Sequence, residues 1–263
     1  LFPLLPVGES LIVPAGDDCA VIRCGQRQLV IGVDQLIEKK HYLPSTCARD
    51  AGRKLLARNL SDLAAMGCPP SYALLAVAAG PDKDEQWLLE FHQGILAEAQ
   101  KYGVLLIGGD LAQTTEDTLA SLTIIGELEL DAALALRSGA LQGDVLYTTG
   151  CFGYSFETEH HLYFDVRLEE GCWLRAKVNA MMDVTDGLLI DAARLAEASG
   201  LELELDVGAV EPRCYEGKEA SAKRRLTDGE DYELIFTVSE DQEKKLLKDW
   251  PFSTELTKVG HFR

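Results

Sequence analysis

The sequence has 263 residues, 47% of them hydrophobic, enough for one large or two ordinary cores. Its 43 acidic against 25 basic residues give a formal charge of -18, which disfavours nucleic acid and anionic membrane as partners. No stretch approaches the roughly eighteen apolar residues of a membrane-spanning helix, and Leu1-Phe2-Pro3 shows no basic region leading into an apolar one.

In chain order, alternation over Gln28–Val33 predicts a strand ending on Asp34. Cys47–Met66 has helical periodicity, with Leu55, Leu56, Leu60, Leu63 and Ala64 on one side. Tyr72–Ala79 reads as a buried strand. Asp82–Tyr102 reads as a helix that starts after Pro81 and stops at Gly103. Val104–Ile107 reads as a strand broken by Gly108-Gly109-Asp110, and Thr118–Leu128 as the next strand. Turn chemistry around Leu136–Gly143 places a domain boundary there, giving residues 1–136 and 137–263. Beyond it, strands are expected at Val145–Thr149, Ala180–Val184, Leu201–Val207 and Tyr232–Val238, and helices at Gly187–Ala198 and Glu240–Lys248. Interleaved strands and helices make the class mixed α/β. The glycine-rich turn Gly150–Ser155 runs straight into Phe156-Glu157-Thr158, where an element is expected. A longer natural chain is therefore expected, with residues before Leu1, near Ser155–Glu157 and after Arg263.

The seven cysteines form no C-x-x-C pair and none has zinc-finger spacing to a histidine pair. An odd, scattered set suits free, mostly buried thiols in a reducing, cytoplasmic compartment. The acids are more informative. Gly16-Asp17-Asp18, Asp34, Asn59-Leu60-Ser61-Asp62, Gly108-Gly109-Asp110 and Asp183-Val184-Thr185-Asp186 fall at the ends of apolar runs, in a turn or inside a helix. A single strand-end aspartate is usually a turn or capping residue. Asp62 stands out because helix interiors disfavour aspartate. Asp17-Asp18 stands out because adjacent like charges repel unless something positive lies between them. Magnesium takes oxygen ligands and bridges carboxylates to phosphate, a need that carboxylates on four or five segments would meet. There is no EF-hand loop, no G-x-x-x-x-G-K-[ST] phosphate loop and no G-x-S-x-G elbow. His41 follows Asp34 and Lys39-Lys40, so three candidate cations stand beside an acidic site where an anion would dock. His160-His161 reads as structural. Gly229-Glu230-Asp231-Tyr232-Glu233-Leu234 is either a solvated turn or part of a site.

Seven ordered segments together resemble the thiamine-monophosphate kinase family, from the superfamily of aminoimidazole ribonucleotide synthetase, selenophosphate synthetase and the hydrogenase maturation dehydratase. They are Gly16–Val21, Asp34 to His41-Tyr42, Asn59–Gly67 (Asn-Leu-Ser-Asp-Leu-Ala-Ala-Met-Gly), Gly108–Asp110, Arg137–Ala140, Met182–Leu188 and Gly229–Leu234. The resemblance runs from Ala15 to about Val259. It implies a two-domain α/β (α+β) aminoimidazole ribonucleotide synthetase-like fold. The N-terminal ATP- and metal-binding domain would form a β-barrel across a homodimer, beside a C-terminal α/β domain. It implies direct in-line transfer of the ATP γ-phosphoryl group to thiamine monophosphate, giving thiamine diphosphate and ADP. By the same resemblance Asp18, Asp34, Asp62, Asp110, Asp183 and Asp186 bind Mg2+, with Asp62, Asp110 and Asp186 central to catalysis. Gly109, Asp110, Arg137 and Thr185 contact ATP, and His92 stands where an aromatic residue borders the nucleotide. His41 and Glu230 contact thiamine monophosphate.

The chain departs from the family pattern in places. Val33 replaces a Ser or Thr, Lys39-Lys40 replaces Gly-Val before the histidine, and Asp228 replaces the first glycine of Gly-Gly-Glu-Asp. A C-terminal aromatic segment is not reached by Arg263. The departures bear on the acceptor more than on ATP and magnesium. Other readings are a selenophosphate synthetase or hydrogenase maturation type of enzyme, and a non-catalytic nucleotide or metal sensor. Leu1–Ala15 holds no reactive cysteine of the first type, and the visible end has no cysteine tail of the second.

Overall fold

The computed structural model describes residues 8–263. They form two compact units: the described residues up to Leu63 with Cys68–Ala132, and Ala64–Gly67 with Ala133–Arg263. Among the described residues no helix is long and apolar enough to cross a membrane.

In the first unit β1 (Leu11–Val13), β2 (Ala20–Cys24), β3 (Arg27–Ile37), β4 (Pro70–Ala79), β5 (Leu105–Gln113) and β6 (Leu119–Glu129) form a six-stranded sheet, ordered β1-β2-β3-β6-β4-β5. Only the β4–β5 pairing is parallel. Helices α1 (Ala48–Ala65, in this unit as far as Leu63) and α2 (Glu85–Tyr102) accompany the sheet. Leu55, Leu56, Leu60 and Leu63 of α1 are wholly buried, as their spacing predicts. Helix α2 begins at Glu85, later than Asp82, because the Asp84 carboxylate accepts from the Trp87 N–H and caps it. Gly103 ends it in the left-handed region. The two helices meet at glycines. A Cβ on Gly52 would stand 2.0 Å from the Phe91 oxygen, and one on Gly94 1.9 Å from the Arg49 oxygen.

Two strands run further than expected. The β3–β6 register is unbroken from Arg27↔Glu129 to Ile37↔Leu119, so Asp34 lies mid-strand opposite Leu122. Leu36, beyond it, is buried and continues the apolar alternation. Strand β5 likewise passes through Gly108-Gly109-Asp110 to Gln113. A Cβ on Gly109 would fall 1.8 Å from the Leu75 oxygen, so the glycine lets the two strands approach where it was expected to break one. Asp34 and Asp110 are therefore not strand-end residues.

The second unit is built on β7 (Val145–Thr149), α3 (His160–Tyr163), α4 (Leu168–Leu174), β8 (Ala180–Asp183), α5 (Leu188–Ser199), β9 (Leu203–Leu205), β10 (Cys214–Tyr215), β11 (Lys218–Glu219), α6 (Ala222–Thr227), β12 (Leu234–Val238), α7 (Glu240–Asp249) and β13 (Leu256–Phe262). Five strands form an antiparallel sheet, β8-β12-β7-β13-β9, and β10–β11 is a separate hairpin. Its core joins Leu146, Met182, Val184, Leu188, Leu195, Ile235 and Phe262. Residues 155–158 form successive turns leading into α3, with the Thr158 N–H on the Tyr154 oxygen and the His161 N–H on the Ser155 oxygen. All seven cysteines are free, but only Cys19 and Cys68 are buried, fewer than expected.

Candidate active site

In the first unit, Asp18 precedes β2 and Asp62 lies in the last turns of α1. Their carboxylate oxygens come within 4.8 Å of each other. The Asp62 carboxylate also reaches over Gly32 of β3, where a Cβ would stand 3.5 Å from Oδ2. Two half-buried carboxylates this close repel unless a cation lies between them. The pair offers hard oxygen donors and neither sulfur nor imidazole, which suits Mg2+ and not zinc.

Asp34 is held from both ends. Its N–H donates to Asn59 Oδ1 at 3.1 Å, and its Oδ2 accepts from Arg58 Nε at 2.8 Å. Asn59, wholly buried, in turn donates to the Leu55 carbonyl. Strand β3 and helix α1 are thus tied by the same residues that present the acids. Arg58, which the sequence reading missed, is a cation already at Asp34.

The expected group of cations near His41 takes another form. Lys39 is ion-paired with Asp117. His41 Nδ1 accepts the Ile37 N–H at 2.9 Å, which leaves the ring proton on Nε2 and makes the neutral ring a donor. Lys54, wholly buried on α1, donates to the His41 carbonyl at 2.6 Å.

His92, Gly109 and Asp110 do come together. A cavity of about 300 Å³ is lined by Leu75, His92, Leu106, Gly108, Gly109, Asp110 and Leu111. A second, of about 580 Å³, shares His92 and Leu111 and adds Asp84, Glu85, Gln86, Leu88 and Leu89. His92 Nδ1 lies 2.8 Å from the Leu88 carbonyl and donates to it, leaving Nε2 as an acceptor.

In the second unit, Asp183 ends β8 and is buried, while Thr185 and Asp186 lie in the turn before α5. The turn is organised by Asp191, a residue the sequence reading did not single out. Its wholly buried carboxylate accepts the Thr185 and Asp186 N–H groups, both at 2.9 Å, and Arg194 Nη1 at 2.7 Å. Burial raises the Asp191 pKa, against the pull of those donors. Arg194 also binds Asp186 Oδ2 at 2.6 Å. Arg137, in the chain leading to β7, is half-buried.

The segment Gly229–Glu233 lies beside that turn. The Glu230 N–H bonds the Thr185 oxygen, the Tyr232 N–H bonds the Val184 oxygen, and the Val184 N–H bonds the Glu233 oxygen. Its acids divide the work. Glu233 is buried in a two-pronged pair with Arg167, with both contacts at 2.7 Å, and accepts from the Thr149 hydroxyl. Asp231 is buried against Arg213 and the Gly153 N–H. Burial pushes its pKa up to about 7 even beside Arg213. Asp228 receives the Tyr154 N–H and Arg224. Glu230 is half-exposed, at φ 53, with Oε2 3.4 Å from His161 Nδ1. His160 Nε2 meets the Asp231 carbonyl at 2.8 Å, and burial holds its pKa down at about 4.

Residues 16–128 match the family model of the AIR synthase related protein N-terminal domain, and residues 153–261 match its C-terminal domain. A thiamine-monophosphate kinase of Rhodopirellula baltica is 36% identical over 95% of this chain and 83% of its own length. That of Salmonella typhimurium is 37% identical over 86% of this chain and 76% of its own. The chain belongs to the thiamine-monophosphate kinase family. A solved structure of AaThiL complexed with AMPPCP and TMP superposes with a TM-score of 0.85 at 26% identity, covering 94% of this chain and 85% of that one. The thiamine-monophosphate kinase fold thus agrees with the mixed α/β class read from the sequence.

Proposed function

We propose that this chain transfers the γ-phosphoryl group of ATP to thiamine monophosphate, with Mg2+, giving thiamine diphosphate and ADP. The observation that carries the reading is the Asp18–Asp62 carboxylate pair in a chain of this family. Such a pair needs a cation, and a polyphosphate on a protein of charge -18 needs one too. Asp18, Asp34, Asp62, Asp110, Asp183 and Asp186 are the proposed metal ligands. Bound magnesium would neutralise the phosphates and the charge that grows during transfer.

ATP fits the clefts at α2 and β5, where Gly109 and Asp110 line the wall and His92 offers an acceptor. Arg137 and Thr185 are proposed to complete the nucleotide contacts. His41 presents a donor suited to the acceptor phosphate, and Glu230 takes the opposite end of the acceptor. Phosphoryl transfer asks for positioning and charge neutralisation, so no side chain need become phosphorylated. The exposed apolar residues Val33, Leu74, Leu105 and Ile107 on the first sheet support a homodimer that closes a barrel across the interface. Seven free thiols fit a cytoplasmic setting.

Purified protein given magnesium-ATP and thiamine monophosphate should yield ADP and thiamine diphosphate in equal amounts by chromatography. ATP binding without either product would identify a sensor instead.

A further inference from the structure

Phe156 is 54% exposed. A single exposed apolar residue is ordinary, but this one is held against a buried histidine. Its ring stacks on His161 with centroids 4.8 Å apart and planes 20° from parallel. The His161 side chain is only 5% exposed. It also meets the Glu230 carboxylate, 3.4 Å from Nδ1. The turn carrying Phe156 is bonded through the Glu159 N–H to the Phe156 oxygen and the His161 N–H to the Ser155 oxygen. Glu230 is fixed through its N–H to the Thr185 oxygen, 2.7 Å away. One buried histidine thus sets both an open aromatic face and a carboxylate. The nearby Tyr154 ring, by contrast, already carries the Arg224 guanidinium at 4.4 Å.

An aromatic face beside a carboxylate is a binding chemistry for a flat cation. The same carboxylate repels phosphate. We infer that Phe156 is a specificity residue whose face takes the positively charged thiazolium ring of the acceptor, with Glu230 supplying the counter-charge. This rests on thiamine monophosphate being the acceptor. It adds to that reading an aromatic contact from a turn before α3, outside every motif that carries the family resemblance.

The test is steady-state kinetics with magnesium-ATP and varied thiamine monophosphate on wild type, Phe156→Ala, Phe156→Leu and Phe156→Trp, with binding of thiamine monophosphate measured by calorimetry. The KM and the Kd for thiamine monophosphate should rise about tenfold in the Ala and Leu variants and stay near wild type in Trp. The kcat, the KM for ATP and the melting temperature should hold. If wild type makes thiamine diphosphate and Phe156→Ala keeps its KM, the aromatic platform is wrong and the proposed function stands. If Leu equals wild type, or if all three variants lose kcat and melting temperature together, Phe156 is packing only and the inference falls. If wild type forms no thiamine diphosphate, the functional reading falls and the platform with it.

Discussion

The two units carry their acids by different means. In the first, Asp34 and Asp62 sit on regular elements, a strand and a helix clipped together by Asn59 and Arg58. In the second, Asp183 and Asp186 flank a turn whose shape depends on buried side chains: Asp191 beneath it, and Arg167–Glu233 and Arg213–Asp231 behind the neighbouring segment. Acids on a secondary-structure frame are replaceable one at a time without loss of fold. Acids on a braced turn share their support, so the brace matters to the fold as well as to the site.

Asp62→Asn is expected to give the largest change. Activity should fall about a hundred- to a thousandfold, while the melting temperature of metal-free protein holds or rises because repulsion with Asp18 is relieved. Product formation and a thermal melt check both, and near-normal turnover would remove Asp62 from the site. Asp191→Ala is expected to behave in the opposite way. It leaves the Thr185 and Asp186 N–H groups without their acceptor and Arg194 with Asp186 alone, so urea unfolding should show a loss of about 3 kcal/mol, with activity falling alongside. Stability equal to wild type would erase the distinction between frame and brace. Asp191→Asn, which keeps an acceptor, should lose less.

The smallest effect concerns pH. His160 is held at about 4 against roughly 6.5 in the unfolded chain. The stability it lends is present above about 6.5 and is lost as pH falls towards 4. Asp231, raised to about 7, works the other way, lending stability at low pH that is lost as pH rises through 7. The wild-type advantage over His160→Gln should therefore shrink between pH 7 and pH 4.5 in urea titrations. A constant difference would mean that His160 titrates normally.

Legibility divides along the same line. Helix α2 was readable because Pro81 and Gly103 bracket it locally, though not the Asp84 cap that sets its first residue, and Asp62 because an aspartate inside a helix defies propensity. Asp191 was not readable: an acid in a helix's first turn looks like an ordinary dipole partner, and its burial under Thr185 and Asp186 is a tertiary fact. Arg167 and Glu233 stand 66 residues apart, with nothing local to link them. Strand β13 was missed because its register shifts between Lys258 and Gly260, which spoils the alternation. Gly109 was misread because a glycine needed for close approach and one that ends a strand look alike in one sequence.

The glycine contact between α1 and α2 bears on Asp62 as well. With Gly52 against the Phe91 oxygen and Gly94 against the Arg49 oxygen, each helix forms a stop for the other. Helix α1 has no room to slide along its axis or to turn about it without one backbone entering the other. A carboxylate three turns further along the same helix inherits that fixed datum. Enlarging either glycine would act at a distance, by shifting the ruler on which Asp62 is a mark.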